Sequence, residues 1–340
     1  MAGRKFGLDP GTMNLRICQQ GRGLIINEKN LVAARKKTII AAGDEAYEMF
    51  ERTPASIQVS RPVSGGVIAD TANLGRAIDL LLKKGGVTPA FLRRFQFYMA
   101  VPTDVSEVEK RAYYSLITQS SFSTRNVYLV EKPIACAIGE NLSFSGEDPI
   151  MIVDMGAGST EVSILMKGGM TVSKLLKEGG LTINETIIQS VRREYSLVIG
   201  EKTAETLKFE LGDAIPGYRA GMKAYGRSLA SGLPASAEIP VNLVFEAMKT
   251  YFIHVVQVIH NMIGKVPPQQ AQAIMNRGIY FTGGTSMIPK LDELFASILH
   301  IKVEFSKSPA DSAIRGVAKI MQNPSDYKDV LFTMRDSSFE

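Results

Sequence analysis

Asp9-Pro10-Gly11-Thr12-Met13-Asn14 follows the short apolar run Phe6-Gly7-Leu8 and precedes Leu15-Arg16-Ile17-Cys18, which alternates with period two. An aspartate closing a strand, with glycine and hydroxyl residues just beyond it, can form an anion site. Glycine lets the backbone approach a phosphate closely, successive N–H groups converge on its oxygens, and hydroxyls add donors. The aspartate can also hold hydrated Mg2+ through the ion's waters, because Mg2+ gives up its shell reluctantly. The same grammar returns one domain's length later. Ile150-Met151-Ile152-Val153 leads into Asp154-Met155-Gly156-Ala157-Gly158-Ser159-Thr160, and Glu161-Val162-Ser163-Ile164-Leu165 follows. A third apolar strand, Ile279-Tyr280-Phe281, runs into Thr282-Gly283-Gly284-Thr285-Ser286. One such turn is an ordinary glycine hairpin; two copies with a third glycine turn point to a phosphate site. Neither Walker A spacing nor GxGxxG occurs, so P-loop and dinucleotide-binding readings lose support.

These groups need strands and helices to hold them. Both aspartate loops read as β-hairpins, and Pro10 followed by Gly11 suits a type II turn. Asn126-Val127-Tyr128-Leu129-Val130 reads as a strand, and Glu131-Lys132-Pro133 then opens a helix, where proline suits the first turn. Residues 243–266 form an apolar helical stretch whose His254 and His260 are wrongly spaced for two ligands on one face. Residues 216–240 read as a variable loop and helix, and the polar tail after Asn323-Pro324 reads as frayed.

The chain's 340 residues favour two domains, and 45% hydrophobic with 21% charged residues fits a globular α/β protein. A net charge of +5 attracts phosphates or anionic lipid only mildly. Cys18 and Cys136 form no CxxC pair, which disfavours a disulfide framework or a zinc site and suits a reducing cytosol. No apolar run of signal or membrane-spanning length is present.

Taken in order, further strings resemble a known family. They are Gly21-Arg22-Gly23-Leu24-Ile25-Ile26-Asn27-Glu28, Ala42-Gly43-Asp44-Glu45-Ala46, Arg52-Thr53-Pro54, and Arg61-Pro62-Val63-Ser64-Gly65-Gly66-Val67-Ile68-Ala69-Asp70. Val101-Pro102, Pro133-Ile134-Ala135, Ala137-Ile138-Gly139, Glu201-Lys202-Thr203-Ala204-Glu205 and Thr282-Gly283-Gly284 continue the match. Together with the aspartate loops they resemble the actin-like ATPase superfamily and, within it, the MreB family of bacterial cell-shape actins.

The resemblance implies an α/β actin-like ATPase fold, with two ribonuclease-H-like domains around a nucleotide cleft. The first would span residues 1–140, with subdomain IB at about 32–75. The second would span 141–323, with subdomain IIB at about 181–243, before a tail over 324–340. ATP and Mg2+ would lie between them. Asp9, Gly11, Thr12, Met13 and Asn14 would form one phosphate loop, and Gly156, Ala157, Gly158, Ser159, Thr160 and Glu161 the other. Asp9 and Asp154 would hold Mg2+ through water. Gly283, Gly284, Thr285 and Ser286 would meet the adenosine, as would Glu205-Thr206-Leu207-Lys208, in which spacing i, i+3 puts Glu205 and Lys208 on one helical face.

Hydrolysis is where the sequence departs from its relatives, whose residue before the helix-opening proline is a glutamate that orients the attacking water. Here it is Lys132, an ammonium that cannot act as general base at neutral pH. Ser159 also stands where relatives usually carry threonine. The catalytic candidates are therefore Glu131, Lys132, Asp154 and Ser159. In one version Glu131 turns into the role and slow turnover survives; in the favoured one Lys132 pairs with the γ-phosphate and ATP is held.

The resemblance further implies self-assembly into filaments and a cytoplasmic location on the inner face of the membrane. It implies contact with cell-wall elongation proteins such as RodZ and MreC, and no nucleic-acid partner. Phe91 and Leu92, flanked by Arg93, Arg94, Lys83 and Lys84, stand where relatives insert an apolar pair into lipid. A non-polymerising nucleotide-binding adaptor is the alternative reading.

Overall fold

The structure, a computed structural model, describes residues 4–36, 38–87, 95–121, 124 and 126–333. In its first half the chain forms β1 (Lys5–Pro10), β2 (Asn14–Gln19), β3 (Gly23–Lys29), β4 (Val32–Arg35), β5 (Thr38–Ala42), α1 (Asp44–Met49) and β6 (Gln58–Ser60). It continues through β7 (Val63–Ser64), β8 (Val67–Ile68), α2 (Thr71–Lys84), β9 (Gln96–Val101), α3 (Glu107–Thr118), β10 (Val127–Glu131) and α4 (Lys132–Gly139). The second half begins with β11 (Ile150–Met155), β12 (Thr160–Met166), β13 (Gly169–Leu176), α5 (Gly180–Tyr195), β14 (Leu197–Val198), α6 (Glu201–Leu211), β15 (Met222–Ser228) and β16 (Pro234–Ile239). It ends with α7 (Val241–Ile263), α8 (Pro268–Arg277), β17 (Ile279–Thr282), α9 (Leu291–Leu299), β18 (Val303–Phe305) and α10 (Ser312–Gln322).

Two five-stranded sheets repeat one plan. The first has the order β3-β2-β1-β9-β10 and the second β13-β12-β11-β17-β18. In each, an antiparallel meander of three strands continues into two parallel strands. The central strands β1 and β11 are buried along almost their whole length, so their apolar residues run on rather than alternate. Phe6, Leu8 and Ile17 pack with Leu74, Ile78 and Leu82 of α2 and Ile117 of α3. In the second half, Val153, Val162 and Phe281 pack with Ile183 and Ile187 of α5, Phe252 and Val255 of α7, and Phe295 of α9.

A third core lies between the sheets, where α4 and α10 cross. Gly139 and Gly316 sit at that crossing, and a β-carbon on Gly139 would overlap the Ser312 backbone while one on Gly316 would overlap that of Ala135. The helices approach closely because neither presents a side chain there.

Two expectations change. Residues 216–240 contain the antiparallel hairpin β15–β16 rather than a helix. Their small alternating residues lay one face inward, a period-two signal blurred by glycine, serine and alanine. The described part of the tail, through residue 333, is packed on the first half rather than frayed. Pro324–Val330 forms a 3-10 helix, and Phe332 exchanges backbone hydrogen bonds with Leu129, extending the sheet edge at β10. Burial of Phe332 against the first core holds it there.

Gly316→Ala is expected to lower the urea midpoint by an amount equivalent to about 1–3 kcal/mol, because the obstructing neighbour is backbone and cannot move aside cheaply. Gly75→Ala is the contrasting case, since an added β-carbon meets nothing nearer than Leu116 O at 3.8 Å in the interior of α2. It should raise stability by roughly 0.5–1 kcal/mol.

Candidate functional site

The β1–β2 turn consists of Gly11, Thr12 and Met13, and the β11–β12 turn starts at Gly156. Gly11 does not adopt positive φ, so the first turn is not type II. Glycine is needed there for close approach: a β-carbon on Gly11 would stand 2.9 Å from Asn14 O, and one on Gly156 would stand 2.9 Å from Ser159 O. The two loops thus share one internal geometry. They also meet, because a β-carbon on Gly158 would lie 2.5 Å from Thr12 Oγ1. The tip of the β7–β8 hairpin comes down on the second loop as well, with Gly66 against Ser159.

Between the loops lies a cleft of about 450 Å3, lined by Asp9, Gly11, Thr12, Met13, Asn14, Lys132, Asp154, Gly156, Ala157, Gly158, Ser159 and Glu161. Farther along it come Glu205, Lys208, Gly283, Gly284 and Thr285. That volume is in the range of small-molecule sites. Sequence reasoning did not identify Arg16, Lys29, Gly66, Tyr113, Phe209 and Met287, which line it too. Arg16 had a signal, since it stands directly across the hairpin from Asp9.

The expected residues divide unevenly. Thr160 faces away from the cleft: its hydroxyl donates to Glu178 O and shares a hydrogen bond with Tyr251 Oη. Thr206 and Leu207 do not line the cleft, for Thr206 Oγ1 donates to Lys202 O and Leu207 is buried in the second core. Helical periodicity leaves only Glu205 and Lys208 of that run toward the ligand space. Ser286 Oγ donates to Gly283 O, so it braces the glycine turn from behind. Glu131 is not in the cleft wall. It ends β10, one residue from Lys132, and strand alternation turns it away. Burial pushes its carboxyl up from the usual range, with Lys110 opposing. Phe91 and Leu92 lie outside the described residues.

The floor of the cleft is charged and nearly dry. Asp9, Asp154 and Glu161 are 4%, 3% and 1% exposed. Lys132 Nζ is 2.6 Å from Asp154 Oδ2, and Arg16 lies 3.8 Å from Asp9 and 3.0 Å from Asp311. Glu161 Oε2 accepts hydrogen bonds from Thr103 N at 2.9 Å and Thr103 Oγ1 at 3.0 Å. Burial raises the Glu161 carboxyl to about 7, against the pull of Lys132. Burial disfavours the Lys132 ammonium, but Asp154, Asp9 and Glu161 outweigh it and hold its pKa well above the ordinary value.

The donor set answers a divalent cation only in part. Asp154 Oδ2 is buried without an aligned hydrogen-bond donor, which invites an ion. Yet the Lys132 ammonium already stands beside that oxygen, at the distance of a water in a hydrated ion's shell, and Asp9 has Arg16. The floor therefore does not fit resident Mg2+.

At the other end Lys208 Nζ donates to Gly180 O at 2.8 Å, and burial brings its pKa down to about 8. Tyr47 Oη donates to Glu205 Oε2 at 2.9 Å. Around this contact the first half grips α6. Glu51 accepts from the Glu201 and Lys202 amides, Arg61 makes a two-point pair with Glu201, and Lys202 Nζ donates to Tyr47 O.

Comparison with known proteins bears on this arrangement. The model of the MreB/Mbl protein family matches residues 3–329. The cell shape-determining protein MreB of Escherichia coli (strain K12) is 32% identical over 329 residues, covering 95% of this chain and 94% of that protein. Mbl of Bacillus subtilis (strain 168) is 31% identical over 326 residues, covering 95% and 97%. Among solved structures, MreB5 of Spiroplasma citri bound to AMPPNP superposes with a TM-score of 0.91 at 25% identity, covering 97% of this chain and 99% of that one. The MamK double helical filament superposes at 0.76 with 19% identity, covering 94% and 99%, a likeness of fold.

Replacing Glu51 with alanine leaves the first amides of α6 without their acceptor. Hydrogen exchange at Glu201 and Lys202 should quicken on the order of tenfold, as loss of a charge-assisted hydrogen bond implies, while β11 amides stay protected. Peptide-resolved deuterium exchange would measure both.

Proposed function

Because the chain belongs to the MreB/Mbl protein family, we propose that it is an actin-like cytoskeletal protein that binds ATP in the cleft and polymerises head to tail. It acts on the inner face of the cytoplasmic membrane, organises cell-wall synthesis and cell shape, and hydrolyses ATP weakly or not at all. The observation that carries this reading is the meeting of the two glycine loops, Thr12 against Gly158, with Asp9 and Asp154 in one crevice. Such loops suit a polyphosphate, because their amides and hydroxyls line a space too narrow for side chains. The likeness to MreB5 of Spiroplasma citri bound to AMPPNP supports the nucleotide. The MamK double helical filament, of the same fold, supports self-association, and a head-to-tail contact through unlike faces would generate open polymers.

Weak hydrolysis follows from Lys132. A general base needs a lone pair at the operating pH, and an ammonium held charged by three carboxylates has none. Glu131, the other candidate, points out of the cleft wall. The γ-phosphate then meets a cation, and ATP is held as a structural ligand that closes the two halves around its phosphates and biases the subunit toward its assembling shape. Ser159, on the second loop, supplies a hydroxyl to the phosphates.

Negative-stain electron microscopy with and without ATP tests assembly: filaments are expected with ATP, and dispersed particles under both conditions favour the adaptor reading. Phosphate release should stay near background in the natural protein. It should rise in Lys132→Glu by a measurable part of the roughly 10²–10⁴ that a general base contributes. Brisk release by the natural protein would defeat the held-ATP reading.

Membrane contact rests on Phe91 and Leu92 with their neighbouring cations, worth about 1 kcal/mol per Lys or Arg near an anionic surface. The partners proposed on family grounds are elongation proteins such as RodZ and MreC. Pelleting with anionic liposomes should fall sharply in the Phe91→Ser, Leu92→Ser double variant, while circular dichroism stays unchanged.

A further inference from the structure

We propose that the Lys132 ammonium replaces a divalent cation as counter-charge to the nucleotide's phosphates, so that this chain binds ATP with little dependence on Mg2+. The inference rests on the nucleotide reading of the cleft and specifies how that site is regulated.

It starts from an asymmetry between two otherwise equivalent hairpins. The residue opposite Asp9 is Arg16, whereas the residue opposite Asp154 is Glu161. The first hairpin carries its own cation. The second pairs two carboxylates across adjacent strands, both nearly dry, an arrangement that is unstable without an external positive charge. Lys132 supplies it from the first turn of α4, at 2.6 Å from Asp154 Oδ2.

That position has a consequence for metal. A carboxylate that held hydrated Mg2+ would do so through a water of the shell, at hydrogen-bond distance. The ammonium nitrogen stands at that distance from Asp154 Oδ2. Inserting the ion would require Lys132 to leave the carboxylates and would place two cationic centres together over Asp154. Asp9, Asp154 and Glu161 are thus answered by Arg16, which also pairs with Asp311, and by Lys132. The Lys132 side chain is 19% exposed and lines the cleft, so its N–H groups face the ligand space. An ammonium donates to phosphate oxygens as a point charge, and it is tethered, so its presence does not vary with metal concentration.

The test is calorimetric titration of the full chain with ATP, and separately with AMPPNP, in Mg2+ and in EDTA without Mg2+. The expected result for the natural protein is a dissociation constant that agrees within about threefold between the two conditions. In Lys132→Met, which keeps length and removes charge, omission of Mg2+ should weaken binding by about tenfold or more.

Binding by the natural protein that needs Mg2+ by tenfold or more would overturn the inference and leave the nucleotide reading intact. Lys132→Met binding that stays indifferent to Mg2+ would overturn it too, because another group would then supply the charge. Absence of binding in both conditions would overturn the nucleotide reading and the inference with it. If Lys132→Met fails to fold, the two titrations of the natural protein decide alone.

Discussion

Three carboxylates within one nearly dry crevice are the constraint on which the rest of this molecule depends. Asp9, Asp154 and Glu161 cannot remain charged there unless cations and donors answer them. Arg16 comes from β2, Lys132 from the start of α4, and Thr103 from the segment after β9. Each answering group lies on a different stretch of chain, so the crevice forms only when both sheets and the helix between them are in place. Such a site gains little stability from its charges.

The repeated plan of the sheets explains how one fold makes such a crevice. Each sheet projects a hairpin whose glycine turn reaches beyond the strand ends, and the two turns converge because α4 and α10 draw the sheets together. At their crossing Gly139 and Gly316 remove the side chains that would hold the helices apart. Equivalent hairpins need not carry equivalent chemistry. An arginine opposite one aspartate and a glutamate opposite the other make the second loop dependent on a cation from elsewhere.

The two halves are joined differently at either end of the cleft. Below, the crossing helices are packed backbone to backbone in an apolar core, which resists separation. Above, the junction consists of polar contacts from Tyr47, Glu51 and Arg61 to α6, whose loss to water costs far less. Glu205 both lines the cleft and receives the Tyr47 hydroxyl, so the far end of the cleft and the rim share one side chain.

Much of this was open to reading in the chain alone. The hairpins, the third glycine turn, the helix opening at Pro133 and the long apolar helix at 241–263 all follow from local rules of strand alternation, turn chemistry and helical spacing. Glu205 and Lys208 could be assigned to one face for the same reason. What local rules could not supply is which side of an element faces the cleft once both sides are covered. Thr160, Leu207 and Glu131 belong to the expected segments, yet they point into the protein or away from the crevice. Fold class and the glycine loops are written in short-range pattern, where a few neighbouring residues determine the backbone. The docking of Gly158 on Thr12, the seat of Lys132 against Asp154 and the return of Phe332 to Leu129 depend on residues far apart in the chain. Only the balance of burial and charge in the assembled tertiary structure decides those.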